Sequence, residues 1–197
     1  MEKFHGGIQS EADLQKRWDA LNLGDLKGKR VLVVGAAEGW FSKKCQDAGA
    51  EVTAVEPVRA VLSEIEVISD HFDRLGVMPS ECLPPCVFGT DYDREFDIVL
   101  MLRVLYHMKV PQMALRRASW ALKPGGVLYL ENWFEDPAAN DSVTMQMYED
   151  KPDGWRFVPS PACVARLLIH YGFEDLKIIH QYQSDQRQIW CATKSIK

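Results

Sequence analysis

The chain predicts an α/β fold: a mainly parallel seven-stranded sheet with helices on both faces and a C-terminal antiparallel hairpin. Three observations predict it. An apolar run, Arg30–Val34, passes through the turn Gly35-Ala-Ala-Glu-Gly39 into a helix. A second run, Glu51–Val55, follows Gly49 and ends beside the carboxylate of Glu56. A third, Phe96–Leu102, is apolar at every position but Asp97, the pattern of a strand covered on both sides. Strands alternating with helices require crossover connections and hence parallel pairing.

The elements follow in order. Ser10 starts a helix on which Leu14, Trp18 and Leu21 share one face, and Gly24 and Gly28 close this N-terminal segment, residues 1–28. Strand one leads into a helix from about Glu38 to Asp47, stopped by Gly49. After strand two, Pro57 suits the first turn of a helix running to Leu75. Between Cys82 and Phe88, Pro84 and Pro85 leave only the last part as strand. A helix from Val110 to Leu122 ends at Lys123-Pro-Gly-Gly126, before a strand from Val127 to Glu131. Asn132 to Pro159 has little periodicity and is too long for a simple connection, so a lid or substrate-binding insert is expected over 132–159. Ser160-Pro161 opens a helix that ends at Tyr171-Gly172. Glu174 to Tyr182 and Gln186 to Thr193 read as the closing hairpin.

At 197 residues the chain fits a single domain over 1–197. A formal net charge of −5 with scattered Lys and Arg argues against a broad nucleic-acid surface. The five cysteines are an odd number and widely spread, so free thiols in a reducing compartment are expected, and no metal site. Neither an apolar leader nor a membrane-length apolar run is visible, which points to a cytoplasmic protein without membrane partners. Oligomeric state is not legible.

The turn after strand one is where chemistry enters. Gly35 and Gly39 let backbone approach a ligand, the next helix N-terminus offers free N–H groups, and Glu56 lies where it can take both hydroxyls of a ribose. Dinucleotide sites want a second glycine where Ala37 stands, and Glu38 would repel a pyrophosphate. A cationic ligand bearing a nucleoside, such as S-adenosylmethionine, fits this charge balance better.

With these residues in place the chain resembles the class I S-adenosylmethionine-dependent methyltransferases, a Rossmann-like superfamily. Val34-Gly-Ala-Ala-Glu-Gly39, Glu56, Phe96-Asp-Ile-Val99 and Leu122-Lys-Pro-Gly-Gly126 carry the likeness. Val104-Leu-Tyr-His107, Arg156-Phe-Val-Pro-Ser160 and Tyr171-Gly-Phe173 narrow it to the group containing the tRNA wobble-uridine carboxymethyltransferase. The resemblance implies S-adenosylmethionine as cofactor and S-adenosylhomocysteine as product. Gly35, Ala36, Ala37, Glu38 and Gly39 would flank the methionine portion, and Glu56 with Pro57 the ribose. Asp91, with Thr90 or Tyr92, would contact adenine, and Arg103 to His107 would line the cofactor and face the acceptor. One departure is Val33, where the family usually carries an acid that helps hold the methionine amine.

Methyl transfer needs an acceptor lone pair held behind the methyl carbon in a dry site. His107 is the candidate base, with Tyr106 beside it; a structural histidine is the alternative. Trp133 and Trp155 in the insert suit a planar or apolar small-molecule acceptor, or equally a sealed sheet end or dimer contact. In the wobble-uridine group a Tyr and an Arg hold the extra carboxylate of carboxy-S-adenosylmethionine, and Tyr106 and Arg187 match them. Three functions are thus expected in order: methylation of oxygen or nitrogen on a small molecule; carboxymethylation of a tRNA base, against which the acidic charge counts; and a non-catalytic cofactor-binding scaffold, suggested by Val33.

Overall fold

The computed structural model describes residues 10–37, 39–55, 94–108, 110–134, 143–150, 154–182 and 186–196, without the side chains of 147–150 and 154–157. Helix α1 (Glu11–Leu21) opens at Ser10, whose hydroxyl takes the Asp13 N–H at 3.2 Å and donates to the Asp13 carboxylate at 2.7 Å. Strand β1 (Arg30–Val34), helix α2 (Trp40–Asp47) and strand β2 (Glu51–Val55) form the first βαβ unit. Then come β3 (Phe96–Leu102), a 3₁₀ turn (Leu105–His107), α3 (Pro111–Ala121) and β4 (Leu122–Trp133). A hairpin of β5 (Met145–Asp150) and β6 (Gly154–Pro159) precedes α4 (Pro161–His170), β7 (Phe173–Gln181) and β8 (Arg187–Lys194).

Six described strands form one sheet in the order β2-β1-β3-β4-β8-β7, parallel through β4 and antiparallel at β8 and β7. The expected helix 57–75 and strand near 82–88 lie outside the described residues. Strand period two sorts the core cleanly. Leu32, Val34, Val99, Met101, Leu128 and Leu130 meet α3 and α4 on one face, through Leu115, Ala118, Val164 and Leu168. Val31, Val33, Ile98, Leu100 and Tyr129 meet α1 and α2 on the other, through Leu21, Phe41 and Cys45.

Two expectations need adjustment. Lys123-Pro-Gly-Gly126 does not precede the strand but loops out within β4. Phe96 pairs with Leu122, whereas Ile98 already pairs with Val127. Asp97 pins this bulge, accepting from Lys123 Nζ at 3.0 Å and from the Arg30 N–H at 2.8 Å. The segment 132–159 is also more regular than its composition suggests. Its first residues prolong β4, and its second half is the β5–β6 hairpin. Ser160 clamps the hairpin base: its N–H donates to the Thr144 carbonyl at 2.9 Å, and its hydroxyl accepts the Thr144 N–H at 3.1 Å. Among the described residues no helix is long and apolar enough to cross a membrane.

Candidate functional site

From β1 the chain crosses outward to β2, and later returns to β3 on the other side of β1. Loops leaving β1 and β3 therefore diverge at the carboxyl end of the sheet and leave a crevice, the usual ligand position in this architecture. Both loops are shaped by backbone that ordinary residues avoid. Gly35 has φ +68°, and a Cβ there would lie 2.5 Å from Val104 Cγ2, so the loops touch where only glycine fits. Ala37 at φ +47° and Arg103 at φ +64° also occupy the left-handed region, at about 1–2 kcal/mol each for a residue with a side chain. Such strain at two facing loops is typical of a ligand site.

The β1 loop is tied down by hydrogen bonds. The Gly35 and Ala36 N–H groups both donate to the Val55 carbonyl, at 2.8 and 3.1 Å, and the Gly39 N–H donates to the Ala36 carbonyl at 2.9 Å. Gly39 caps α2 with φ +83° and no side chain, so the first N–H groups of α2 face outward without a competing cap. Val33 is buried in the apolar layer between the sheet and α1–α2. It pairs with Ala54 and Leu100 on the neighbouring strands, so its apolar side chain suits the packing at this departure. Glu38, Glu56, Pro57, Thr90, Asp91 and Tyr92 lie outside the described residues.

Across the crevice, Arg103 is fixed twice by one residue. Its N–H donates to the Glu131 carbonyl at 2.9 Å and its Nε to Glu131 Oε1 at 2.8 Å. Glu131 ends the apolar part of β4 and is wholly buried. Its other oxygen takes Nε of Arg17 at 2.9 Å as well as Nη2, and Arg17 lies 4.7 Å over the Phe41 ring. An Arg17–Glu131–Arg103 cluster thus joins α1, β4 and the β3 loop. Burial alone would depress the Arg103 pKa, but the Glu131 carboxylate outweighs it and the guanidinium is held more firmly protonated. Tyr182 is half-buried, with its hydroxyl enclosed, beside the same three charges; burial first, then Glu131, pushes its pKa to about 12, so its hydroxyl stays neutral.

The other anticipated residues gather nearby. Tyr106 is buried on the 3₁₀ turn and flanks Arg103, while His107 is exposed, its ring 4.2 Å from that of Tyr106. Strand β6, whose backbone includes Trp155, packs against this turn. Trp133 and Arg187 are directly paired across β4 and β8; Trp133 is partly exposed, with its Nε1 donating to Gln186 at 3.2 Å.

Arg17, Glu131 and Tyr182 were not anticipated. A signal for Arg17 was present: with Leu14, Trp18 and Leu21 it falls on the buried stripe of α1, and a charge there demands a buried partner.

The profile of the methyltransferase domain family matches residues 9–178. The tRNA U34 carboxymethyltransferase of Chromohalobacter salexigens is 30% identical over 193 residues, 89% of this chain and 55% of that protein. Its counterpart in Helicobacter pylori strain Shi470 is 29% identical over 174 residues, 87% of this chain and 67% of that protein. The chain therefore spans between about half and two thirds of these relatives. Among solved structures, the 1,6-didemethyltoxoflavin-N1-methyltransferase of Burkholderia thailandensis, with bound 1,6-didemethyltoxoflavin and S-adenosylhomocysteine, superposes with TM-score 0.68 at 20% identity. That match covers 94% of this chain and 80% of the other.

Proposed function

The chain belongs to the methyltransferase domain family, and on that premise we propose that it moves a methyl group from S-adenosylmethionine to oxygen or nitrogen of a small molecule. The observation that carries this reading is the crevice at the carboxyl ends of β1 and β3, bordered by two strained loops that touch at Gly35 and Val104. The backbone from Gly35 to Gly39 and the N-terminus of α2 are suited to the methionine portion, and Glu56 and Asp91 are proposed for ribose and adenine. The bound cofactor supplies an electrophilic methyl on a good leaving group, so the protein's task is orientation and exclusion of water.

His107, exposed at the mouth next to Tyr106, is proposed to take the proton of an O–H or N–H acceptor. Trp133 and Trp155 are proposed to border the acceptor, with the β5–β6 hairpin covering the turn it packs on.

A second reading is carboxymethyl transfer to a tRNA base. It is favoured by the two relatives named for that reaction, and in it Tyr106 and Arg187 are proposed to hold the extra carboxylate. Calorimetric titration with S-adenosylmethionine, S-adenosylhomocysteine and carboxy-S-adenosylmethionine separates the readings. Binding of the first two supports the methyltransferase. Selective binding of the carboxylated form puts the second reading first. No binding to any of the three leaves a scaffold without cofactor.

A further inference from the structure

Among the described residues Glu131 takes hydrogen bonds from two arginines, and the geometry of its pair with Arg103 leaves one guanidinium edge with a direction. Glu131 spends one oxygen on Arg17 and the other on Nε of Arg103. Among the described residues, Nε is the one nitrogen of the Arg103 guanidinium with a hydrogen bond. Its two terminal amino groups sit at the end of a side chain that is 20% exposed. A guanidinium gripped through Nε keeps a planar terminal edge with two parallel N–H vectors, the shape that takes a carboxylate by two hydrogen bonds. Among the described residues Arg103 shares its carboxylate with Arg17, so the terminal edge of this partly buried guanidinium favours a further anion.

The position decides which anion. Arg103 leaves β3 toward β4: both its backbone and its side chain bond Glu131, and Tyr106 and Tyr182 flank it. The glycine loop belongs to β1, on the other side of β3. The free edge therefore lies in the half of the crevice away from the loop suited to the methionine portion. The backbone also favours a chosen side chain here, because at φ +64° a glycine would sit without strain.

We propose that Arg103 is a carboxylate receptor for the acceptor, so that the molecule methylated is an organic acid held through its carboxylate at the β3–β4 end of the crevice. This rests on the methyltransferase reading above. The test uses Arg103→Gly, which relieves the left-handed strain and leaves Arg17 and Glu131 as a one-to-one pair, and Arg103→Lys, which keeps the charge but not the fork. Thermal unfolding is followed with benzoate, and with benzamide as neutral control, at matched ionic strength, with and without S-adenosylhomocysteine.

Benzoate at tens of millimolar should raise the wild-type midpoint by about 3 °C or more, benzamide should not, and both variants should lose most of the shift. S-adenosylhomocysteine affinity should change less than twofold in Arg103→Gly. Three results overturn the proposal: no benzoate shift in the wild type, an equal shift in Arg103→Gly, or a wild-type shift retained in Arg103→Lys. A tenfold loss of S-adenosylhomocysteine affinity in Arg103→Gly overturns it in favour of the methionine carboxylate. Loss confined to carboxy-S-adenosylmethionine overturns it in favour of a cofactor-borne carboxylate. Absence of S-adenosylhomocysteine binding in the wild type defeats the methyltransferase reading instead, while the titration without cofactor still scores the receptor.

Discussion

Replacing Gly35 with alanine tests whether the two loops of the crevice are coupled by contact. The new Cβ would stand 2.5 Å from Val104 Cγ2 and 3.7 Å from Val104 Cβ, on a backbone with φ +68°. The left-handed conformation costs about 1–2 kcal/mol for alanine, and forcing a methyl into a filled space costs about 1–3 kcal/mol. The total is about 3 kcal/mol, which for a chain this long lowers the thermal midpoint by roughly 6–12 °C. Val104→Ala removes the colliding methyl and, on its own, costs about 1–3 kcal/mol in lost burial and cavity. In Gly35→Ala/Val104→Ala only the backbone cost of the first change persists. The double variant should therefore be more stable than the sum of the singles by about 1–3 kcal/mol. Urea denaturation of all four proteins measures this coupling. Additivity within about 0.5 kcal/mol would refute the claim that contact with Val104, and not backbone conformation alone, makes residue 35 a glycine.

Four further outcomes are expected. Arg17→Met leaves Glu131 paired with Arg103 but releases α1; stability should fall by about 2–4 kcal/mol, and amide exchange over Glu11–Leu21 should accelerate ahead of the sheet. Ser160→Ala removes the acceptor of the Cys163 N–H at 3.2 Å and of the Thr144 N–H at 3.1 Å, and should cost about 1–2 kcal/mol in chemical denaturation. Burial by itself would raise the Asp97 pKa, but the Arg30 N–H and the Lys123 ammonium outweigh it and hold the carboxyl below its ordinary value. A depressed folded pKa means stabilisation that is complete above about pH 4 and disappears as pH falls through the folded value. The stability gap between wild type and Asp97→Asn should thus narrow in acid, and a gap unchanged down to about pH 2 would contradict the assignment. His107→Gln should lower kcat for an O–H or N–H acceptor about 100-fold while leaving S-adenosylhomocysteine affinity within twofold, measured by single-turnover methylation and calorimetry.

Much of this architecture was legible because the signals were local. Arg30–Val34, Glu51–Val55 and Phe96–Leu102 carry their burial in composition, and Ser10 and Ser160 announce helix starts by the hydroxyl that takes an N–H three residues on. The glycine turn likewise declares a close approach, although nothing local says that Val104 makes it. What escaped depends on partners far apart in the chain. Arg17 and Glu131 are separated by 114 positions, so even where the buried stripe of α1 calls for a partner to Arg17, nothing local names Glu131. Arg103 was placed near the cofactor on resemblance, but its lean toward β4 follows from a carboxylate on a strand formed later in sequence. Lys123-Pro-Gly-Gly126 looked like a terminator because its residues do terminate helices. That the following strand could absorb it as a bulge depends on the carboxylate of Asp97 across the ladder.

The strand order β4-β8-β7 also sets a timetable for the nascent chain. Strand β7 emerges before β8, yet among the described strands its ladder is with β8 alone, which occupies the place between it and β4. While residues 187–194 are unpaired, β7 has no seat in the sheet, and β4, with the apolar residues Leu128 and Leu130, presents an open edge. β7 therefore joins the sheet only through β8, whether β8 docks on β4 first or the β7–β8 hairpin docks as a unit. Until β8 docks, the edge of β4 is accordingly the place at which this sheet is most exposed to pairing with a neighbouring chain.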